Sequence, residues 1–175
     1  GERFIGDIKK FKDIAIVISK SSSLNLDSNQ YKDIVFIKVS DIRLFIGEIC
    51  QIFFPNKIKY KYAVTGTNGK TSISHYICQI WDIQEITGAS IGTLGLNSKK
   101  KISYDFRSNL TTPDVIETHK MLNQLNKFGH ERVIFEASSI GLHQKRLHPL
   151  KFDIIGFSNL SNDHLDYHKT LNNYK

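Results

Sequence analysis

Short apolar runs alternate with longer amphipathic segments along this chain, and the alternation predicts an α/β fold with a mostly parallel sheet. The short runs are rich in β-branched and aromatic residues, which is typical of strands buried on both faces. The longer segments repeat apolar residues at helical spacing. A sheet flanked by helices in this way binds its ligands at the carboxyl ends of its strands.

The first part of the chain predicts the end of a small α/β domain. Residues 14–18 and 34–39 are predicted strands, and a polar segment separates them. Ser40 is predicted to cap the next helix, whose apolar face continues until Pro55 ends it. A domain boundary is expected just after this helix.

The second part contains the remaining predicted strands, with helices between them. A hairpin is predicted over residues 94–106, with its turn at 97–101. The helix that follows should have Thr112 as its N-cap, Pro113 at its first position and Asp114 in its first turn. Further strands are predicted at 60–65, 86–91, 132–137 and 152–157.

A turn with two glycines joins the strand at 60–65 to the next predicted helix. Glycines let the backbone fold closely around an anion, and the amides at a helix start point toward it. Lys70 adds a positive charge, and the Thr71 hydroxyl is of the kind that binds Mg²⁺. The first glycine, Gly66, lies two positions later than in the common pattern, so a plain strand-to-helix turn with a solvated lysine is the alternative. The flanking strand and helix favour a phosphate-binding loop, and therefore a P-loop-containing sheet.

Glu136 ends an otherwise apolar predicted strand. A carboxylate there is costly to bury unless it meets a cation. One interpretation makes it a ligand of a Mg²⁺ ion that bridges nucleotide phosphates. The alternative pairs it with Arg132 or Arg146.

Polar residues follow Glu136 closely. Arg146 carries a fork of donors that suits a carboxylate or phosphate on a substrate, and Ser138 and Gln144 could add hydrogen bonds. The alternative is that these are ordinary surface residues. No nucleophile elbow surrounds Ser138, which argues against a hydrolase.

Residues 159–168 follow the last predicted strand and include two histidines and two aspartates. No cysteine or third histidine lies nearby, so a zinc site would need distant ligands. A single histidine that shares Mg²⁺ with phosphate oxygens is favoured. The alternative is that Asp166 and His168 orient the segment by hydrogen bonding.

The composition excludes several classes of protein. With 40% hydrophobic and 23% charged residues, the chain is typical of globular proteins. It has no apolar run long enough for a membrane helix and no signal peptide, so we expect a cytoplasmic location.

Cys50 and Cys78 lie in apolar helical patterns and are predicted to be reduced core residues. The net charge of +7 comes from scattered residues and one compact run at 99–101. Such a run is typical of a solvated loop, so no nucleic-acid partner is expected.

Four motifs follow one another along the chain: TGTNGKTS at 65–72, LTTPD at 110–114, EASSIGLHQKR at 136–146 and NLSNDHLDYH at 159–168. In this order they resemble the Mur ligase family, and within it the UDP-N-acetylmuramoyl-tripeptide synthetases. The displaced glycine of the loop is the family's own form, and the resemblance extends from about Lys61 to the end of the chain. Leu110 departs from the family pattern, which often has asparagine there; here Asn109 lies one position earlier.

The resemblance implies roles for the matching residues, with ATP and Mg²⁺ as cofactors. ATP phosphates would be bound by Gly66, Thr67, Asn68, Gly69, Lys70, Thr71 and Ser72. The catalytic residues would be Lys70, Glu136 and His164. Thr71 and Glu136 would bind a first Mg²⁺, and His164 a second. The substrate UDP-MurNAc-L-Ala-D-Glu would be held by Thr111, Thr112, Ser138, Gln144 and Arg146.

The resemblance also implies an ATP-dependent amide ligase of peptidoglycan synthesis. A monomer is expected, although the sequence does not determine the oligomeric state. The D-Glu carboxylate would attack the γ-phosphate to give an acyl phosphate and ADP. The amine of meso-diaminopimelate or L-lysine would then displace phosphate.

The chain is expected to be an internal fragment of such an enzyme, inactive by itself. Residues 1–58 would be the C-terminal part of the UDP-substrate-binding domain, and residues 59–175 the first half of the central ATP-binding domain. A carbamylated lysine of the family would follow Tyr174 by a few residues, beyond Lys175.

Two other interpretations stay open. One is another ligase of the Mur and folylpolyglutamate synthase superfamily, against which the stretch 138–146 argues. The other is a non-catalytic nucleotide-binding fragment of a decayed gene.

Overall fold

The structure, a computed structural model, describes residues 5–8, 11, 13–26, 31–32, 34–102 and 109–174. Its contacts divide the chain into two units, Gly1–Phe45 and Ile46–Lys175. The domain boundary that the sequence places between residues 58 and 59 stays a prediction.

The first unit contains the two strands that the sequence predicts. Strands β1 (Ala15–Ser19) and β2 (Val35–Val39) pair in parallel, with Ala15 opposite Val35 and Ser19 opposite Val39. A short helix, α1 (Ile5–Ile8), precedes them.

Helix α2 (Ile42–Phe53) begins in the first unit and continues into the second. Its N-terminal cap is Asp41, whose carboxylate accepts hydrogen bonds from the amides of Arg43 and Leu44 at 2.9 and 3.1 Å. The predicted cap, Ser40, is therefore wrong by one residue. Serine and aspartate cap helices equally well, so their adjacent positions could not be told apart from sequence.

The described residues of the second unit form a five-stranded sheet with helices on both faces. Its strands are β3 (Tyr60–Thr65), β4 (Gly88–Gly92), β5 (Gly95–Asn97), β6 (Arg132–Glu136) and β7 (Ile154–Phe157). Its helices after α2 are α3 (Lys70–Ile83), α4 (Val115–Lys127), α5 (Ser139–His143), α6 (Leu165–His168) and α7 (Leu171–Tyr174). The strand order is β5-β4-β6-β3-β7, and all neighbours are parallel except β4 and β5. The predicted mostly parallel α/β sheet is confirmed.

The antiparallel pair differs from the predicted hairpin at 94–106. Strand β5 is its first arm, but β5 turns back onto β4, with Ser90 opposite Asn97. Residues 103–106 of the predicted second arm lie outside the described residues. The turn at Thr93 and Leu94 was missed because it follows a strand directly.

Helix α4 starts two residues later than the sequence predicts. Asp114 is its N-cap, and its carboxylate accepts hydrogen bonds from the amides of Ile116 and Glu117 at 2.9 and 3.0 Å. The predicted cap, Thr112, is wrong: this side chain is fully buried and its hydroxyl donates to the Glu136 carbonyl oxygen at 2.7 Å. A tertiary contact has taken the threonine that local sequence would assign to the helix.

Alternate residues of β6 pack on opposite faces of the sheet. Phe135 contacts the core that Leu122 and Leu125 of α4 complete, whereas Ile134 packs with Trp81 of α3. Because both faces are covered by apolar side chains, the ends of the central strands are held rigidly. Cys50 and Cys78 are buried and free, as predicted. No helix in the described part of the chain has the length and apolar character needed to cross a membrane.

Strand β7 lies at the edge of the described sheet. It pairs with β3 on one side, and the described residues provide no strand on the other. Its side chains Ile154, Ile155 and Phe157 are 63%, 65% and 64% exposed. An apolar cavity of about 330 Å³ lies beside it, lined by residues of β3, α3 and β7. The strand carries none of the charges or prolines that usually protect a sheet edge.

Two buried histidines make stability depend on pH. His119 has no exposed surface, and its Nδ1 is buried without a partner among the described residues. Burial lowers the pKa of His119 and of His130 below the ordinary value of 6.5. The folded chain therefore keeps both rings neutral at a pH where the unfolded chain takes up protons.

We predict that the free energy of unfolding does not change through these two histidines above about pH 7. It should fall as the pH drops below about 6.5, where the unfolded chain begins to bind protons. His119→Gln should reduce this loss, because one of the two buried rings is removed. Urea denaturation across this range measures the slope. His143→Gln, at an exposed position, is the control. A slope that is equal in wild type and His119→Gln would contradict the assignment.

Candidate functional site

The loop between β3 and α3 turns on Gly66. Its φ of +126° is a left-handed backbone value that favours glycine, and a Cβ there would collide with the Ser158 hydroxyl and the Asn159 backbone. The displaced glycine of the loop is therefore required where it stands.

Lys70 begins α3 and folds back over the loop. Its Nζ donates to the carbonyl oxygens of Gly66 and Thr67 at 2.7 and 2.9 Å. The ammonium group thus lies at the mouth of the loop, where exchanging these carbonyls for phosphate oxygens would place a full positive charge on an anion.

The Glu136 carboxylate lies beside this loop and is only 2% exposed. The Thr71 hydroxyl donates to Oε2 at 2.7 Å. Thr93 donates twice, from its amide to Oε1 at 3.0 Å and from its hydroxyl to Oε2 at 3.1 Å. Among the described residues, neither Arg132 nor Arg146 pairs with this carboxylate. The alternative in which an arginine neutralises Glu136 is therefore wrong.

Thr71 and Glu136 present two oxygen groups close together, as a Mg²⁺ site needs. The described residues include no cluster of three or more histidine, cysteine or acidic side chains placed to hold a metal. Mg²⁺ suits such a sparse site, since it usually keeps several waters and takes one or two protein ligands together with phosphate oxygens. The residues present fit a nucleotide-bound Mg²⁺ and do not fit zinc.

Two residues of the site were missed by sequence reasoning. Thr93 binds Glu136, and its hydroxyl oxygen also lies 3.1 Å from the Thr111 hydroxyl, from which it can accept a hydrogen bond. Gly92 leaves the space that the Glu136 carboxylate fills, since a Cβ on Gly92 would overlap it. The signal that could have found them is their position at the end of a predicted parallel strand, beside Glu136.

The predicted substrate residues form one hydrogen-bonded cluster. The Ser138 amide donates to the Thr112 hydroxyl at 2.9 Å. Arg146 donates from Nη1 to the Thr112 carbonyl oxygen at 2.8 Å and from Nη2 to Gln144 Oε1 at 2.8 Å. Thr111 connects to this cluster through Thr93 and Glu136. The structure therefore brings all five residues to the same end of the sheet.

His164 lies apart from this cluster. It is a residue of left-handed conformation (φ +50°) at the start of α6, and its Nε2 is 3.6 Å from an Asp163 carboxylate oxygen. No hydrogen bond in the described part of the chain connects it to Thr71 or Glu136. By contrast, His168 is buried and its Nε2 lies 3.0 Å from the Ser139 hydroxyl, as the hydrogen-bonding interpretation of this segment expects.

A cavity of about 290 Å³ opens beside the loop. Its walls include Gly66, Ser139, His143, His168 and Tyr174. It offers room for a ligand group next to the mouth of the loop.

We predict that Thr93→Val destabilises the folded chain by about 1–2 kcal/mol, because a buried carboxylate loses one of its donors. Thr93→Ser keeps the hydroxyl and should be close to wild type. Urea denaturation of the two variants measures the difference. Equal stability of the valine and serine variants would show that the hydroxyl does not hold Glu136.

Comparison with known proteins gives consistent relatives. The model of the Mur ligase middle domain matches residues 64–175. The chain is 38% identical over 180 residues to the UDP-N-acetylmuramoyl-L-alanyl-D-glutamate--2,6-diaminopimelate ligase of Rickettsia bellii (strain RML369-C), covering 99% of the chain and 35% of that protein. It is 42% identical over 139 residues to the protein of the same name from Bradyrhizobium diazoefficiens, covering 79% of the chain and 28% of that protein.

A solved structure is also similar. The structure of a UDP-N-acetylmuramoyl-L-alanyl-D-glutamate--2,6-diaminopimelate ligase superposes with a TM-score of 0.67 at 35% sequence identity, over 79% of this chain and 28% of that one. The chain spans about a third of the length of the curated relatives that it matches. Since the family model covers more than half of the chain, including the loop, Glu136 and the cluster around Arg146, the chain belongs to the Mur ligase family.

Proposed function

We propose that this chain is part of an ATP-dependent ligase that adds 2,6-diaminopimelate to UDP-MurNAc-L-Ala-D-Glu in peptidoglycan synthesis. The names of its relatives support this substrate pair. The observation that carries the proposal is the position of Glu136. Its carboxylate binds the loop through Thr71, and its carbonyl oxygen accepts from Thr112 of the substrate cluster. One residue therefore joins the two halves that a phosphoryl transfer to a substrate carboxylate needs.

The loop would bind the triphosphate of ATP. The residues proposed for this are Gly66, Thr67, Asn68, Gly69, Lys70, Thr71 and Ser72. Lys70 would supply positive charge, with Thr71 and Glu136 as ligands of Mg²⁺ and His164 as a ligand of a second Mg²⁺. When bound, the metal would neutralise charge on the phosphates.

The substrate cluster would hold UDP-MurNAc-L-Ala-D-Glu. Thr111, Ser138, Gln144 and Arg146 are the proposed contacts. Thr112 is fully buried, so its proposed role is to position Ser138 and Arg146, which both bond to it. Arg146 has the donor fork that recognises planar carboxylates and phosphates, and its bonds to Gln144 and Thr112 fix its plane. A fixed guanidinium positions an anionic substrate with little loss of side-chain entropy.

The proposed reaction has two steps. An oxygen of the D-Glu carboxylate bonds to the γ-phosphorus while ADP leaves, which gives an acyl phosphate. The diaminopimelate amine then attacks the acyl carbon, loses a proton and displaces phosphate, which gives the amide. Charge neutralisation by Lys70, and by a metal that Thr71 and Glu136 would hold, would suit such a transfer.

The domain assignment goes with this proposal. Residues 1–58 would belong to the UDP-substrate-binding domain and residues 59–175 to the central ATP-binding domain. A cytoplasmic location and a monomeric state are proposed with it.

The activity is tested on the full-length gene product that contains this chain. We predict ATP consumption that depends on both UDP-MurNAc-L-Ala-D-Glu and diaminopimelate, with the tripeptide product identified by mass spectrometry. Lys70→Ala should lower kcat at least about a hundredfold, because it removes charge from the transferring phosphoryl group.

Lys151→Ala, at an exposed position outside the site, is the control for that experiment. ATP consumption without dependence on the UDP-dipeptide would refute the proposal. Activity with a folate or another Mur substrate in a substrate panel would favour a sister ligase. A reading frame interrupted beyond the chain would favour the decayed-gene alternative.

A second prediction concerns Arg146. Arg146→Lys should raise KM for UDP-MurNAc-L-Ala-D-Glu about tenfold or more, because an ammonium group cannot reproduce the planar fork. KM for ATP should change little. Lys151→Arg is the matched control, and equal KM values for the UDP substrate in Arg146→Lys and wild type would remove Arg146 from the site.

A further inference from the structure

The segment that follows β7 forms a two-point contact with the phosphate loop. Asn159 Oδ1 accepts from the Asn68 amide at 3.0 Å, and Asn159 Nδ2 donates to the Asn68 carbonyl oxygen at 3.0 Å. One side-chain amide thus holds both main-chain polar groups of a loop residue. Such a pairing fixes the orientation of the Asn68 peptide groups.

Neighbouring residues add to this contact. The Ser158 hydroxyl lies 2.7 Å from the Asn68 carbonyl oxygen, and the Thr67 amide donates to the Asn159 carbonyl oxygen at 2.9 Å. The Ser161 amide donates to the Thr67 hydroxyl at 2.9 Å. We call residues 158–161 the loop brace.

The brace decides which amides remain for an anion. The amides of Thr67 and Asn68 are occupied by Asn159. The described residues provide no acceptor for the amides of Lys70, Thr71 and Ser72, because the first helical bond of α3 is the one from Ile73 to Gly69. The free donors are therefore gathered at the start of α3, on a 14-residue helix.

Asn159 is exposed, which separates this contact from core packing. An exposed side-chain amide whose oxygen and nitrogen both bond to one loop residue contributes little to the burial of apolar surface. Its effect is local, on the shape of the loop. A loop that already has its bound shape binds its ligand without an ordering cost.

We propose that Asn159 is a positioning residue for nucleotide binding that acts through Asn68, with Ser158 in a supporting role. This rests on the proposed function, since the ligand is the triphosphate of ATP. Asn159 would act on the nucleotide only through the shape of the loop. The brace keeps the Thr67 and Asn68 amides turned away and leaves the amides of Lys70, Thr71 and Ser72 to the phosphates.

The test compares wild type, Asn159→Ala and Ser158→Ala in the full-length protein. Asn162→Ala, an exposed asparagine three residues further on, is the matched control. Two quantities are measured. The first is hydrogen exchange of the peptide that contains Thr67 and Asn68, without nucleotide. The second is nucleotide and substrate affinity, measured as Kd for ATP, KM for ATP and KM for the UDP substrate.

Asn159→Ala should speed exchange in the loop peptide, with exchange in β6 unchanged. The Kd and KM for ATP should rise about tenfold, while KM for the UDP substrate stays within about twofold. Ser158→Ala should have a smaller effect of the same kind, and it also serves if Asn159→Ala folds poorly. Asn162→Ala should match wild type.

Different results would overturn different claims. Unchanged loop exchange, or faster exchange with unchanged ATP affinity, would overturn the positioning role. An equal rise in the KM values of both substrates would also overturn it, because it would indicate a general structural effect. Failure of wild type to bind ATP would instead overturn the proposed function on which this inference rests.

Discussion

The buried carboxylate of Glu136 is the group around which this site is arranged. It ends β6, the central strand of the sheet, and receives hydrogen bonds from residues that follow both neighbouring strands. Burial of a charge is tolerated only where the surroundings compensate it. Here the donors are neutral hydroxyl and amide groups, so the negative charge is oriented but not cancelled. A carboxylate in this state fits the proposed Mg²⁺, which would arrive bound to a nucleotide phosphate.

Parallel topology explains how distant parts of the sequence meet at this carboxylate. Thr71 follows β3, Thr93 follows β4 and Glu136 ends β6, and the carboxyl ends of parallel strands lie on the same edge of the sheet. The position of Gly92 shows how closely the strands must approach. Replacement of this glycine would displace the carboxylate without touching any residue that donates to it.

Much of this arrangement could be predicted from local sequence. The strand, loop and helix around Lys70 were predictable because glycine positions and apolar periodicity act over a few residues. The role of Thr112 could not be predicted in this way, because its hydroxyl donates to the carbonyl oxygen of Glu136, which is distant in sequence. Thr93 escaped notice for the same reason, since a threonine after a strand has no local mark of function. Asp41 and Asp114 show that the type of cap was predictable while its position was not.

The shape of the phosphate loop depends on the edge strand β7, through the brace. Ser158 and Asn159 follow directly after β7, which is supported by one neighbouring strand and exposes its apolar side chains. The order of the brace therefore depends on the order of an edge strand. If a strand that added to this edge tightened ATP binding, ATP would favour that addition by the same factor, since coupling between two binding events is reciprocal. The effect of ATP on strand addition and the effect of strand addition on ATP affinity would then report the same coupling free energy.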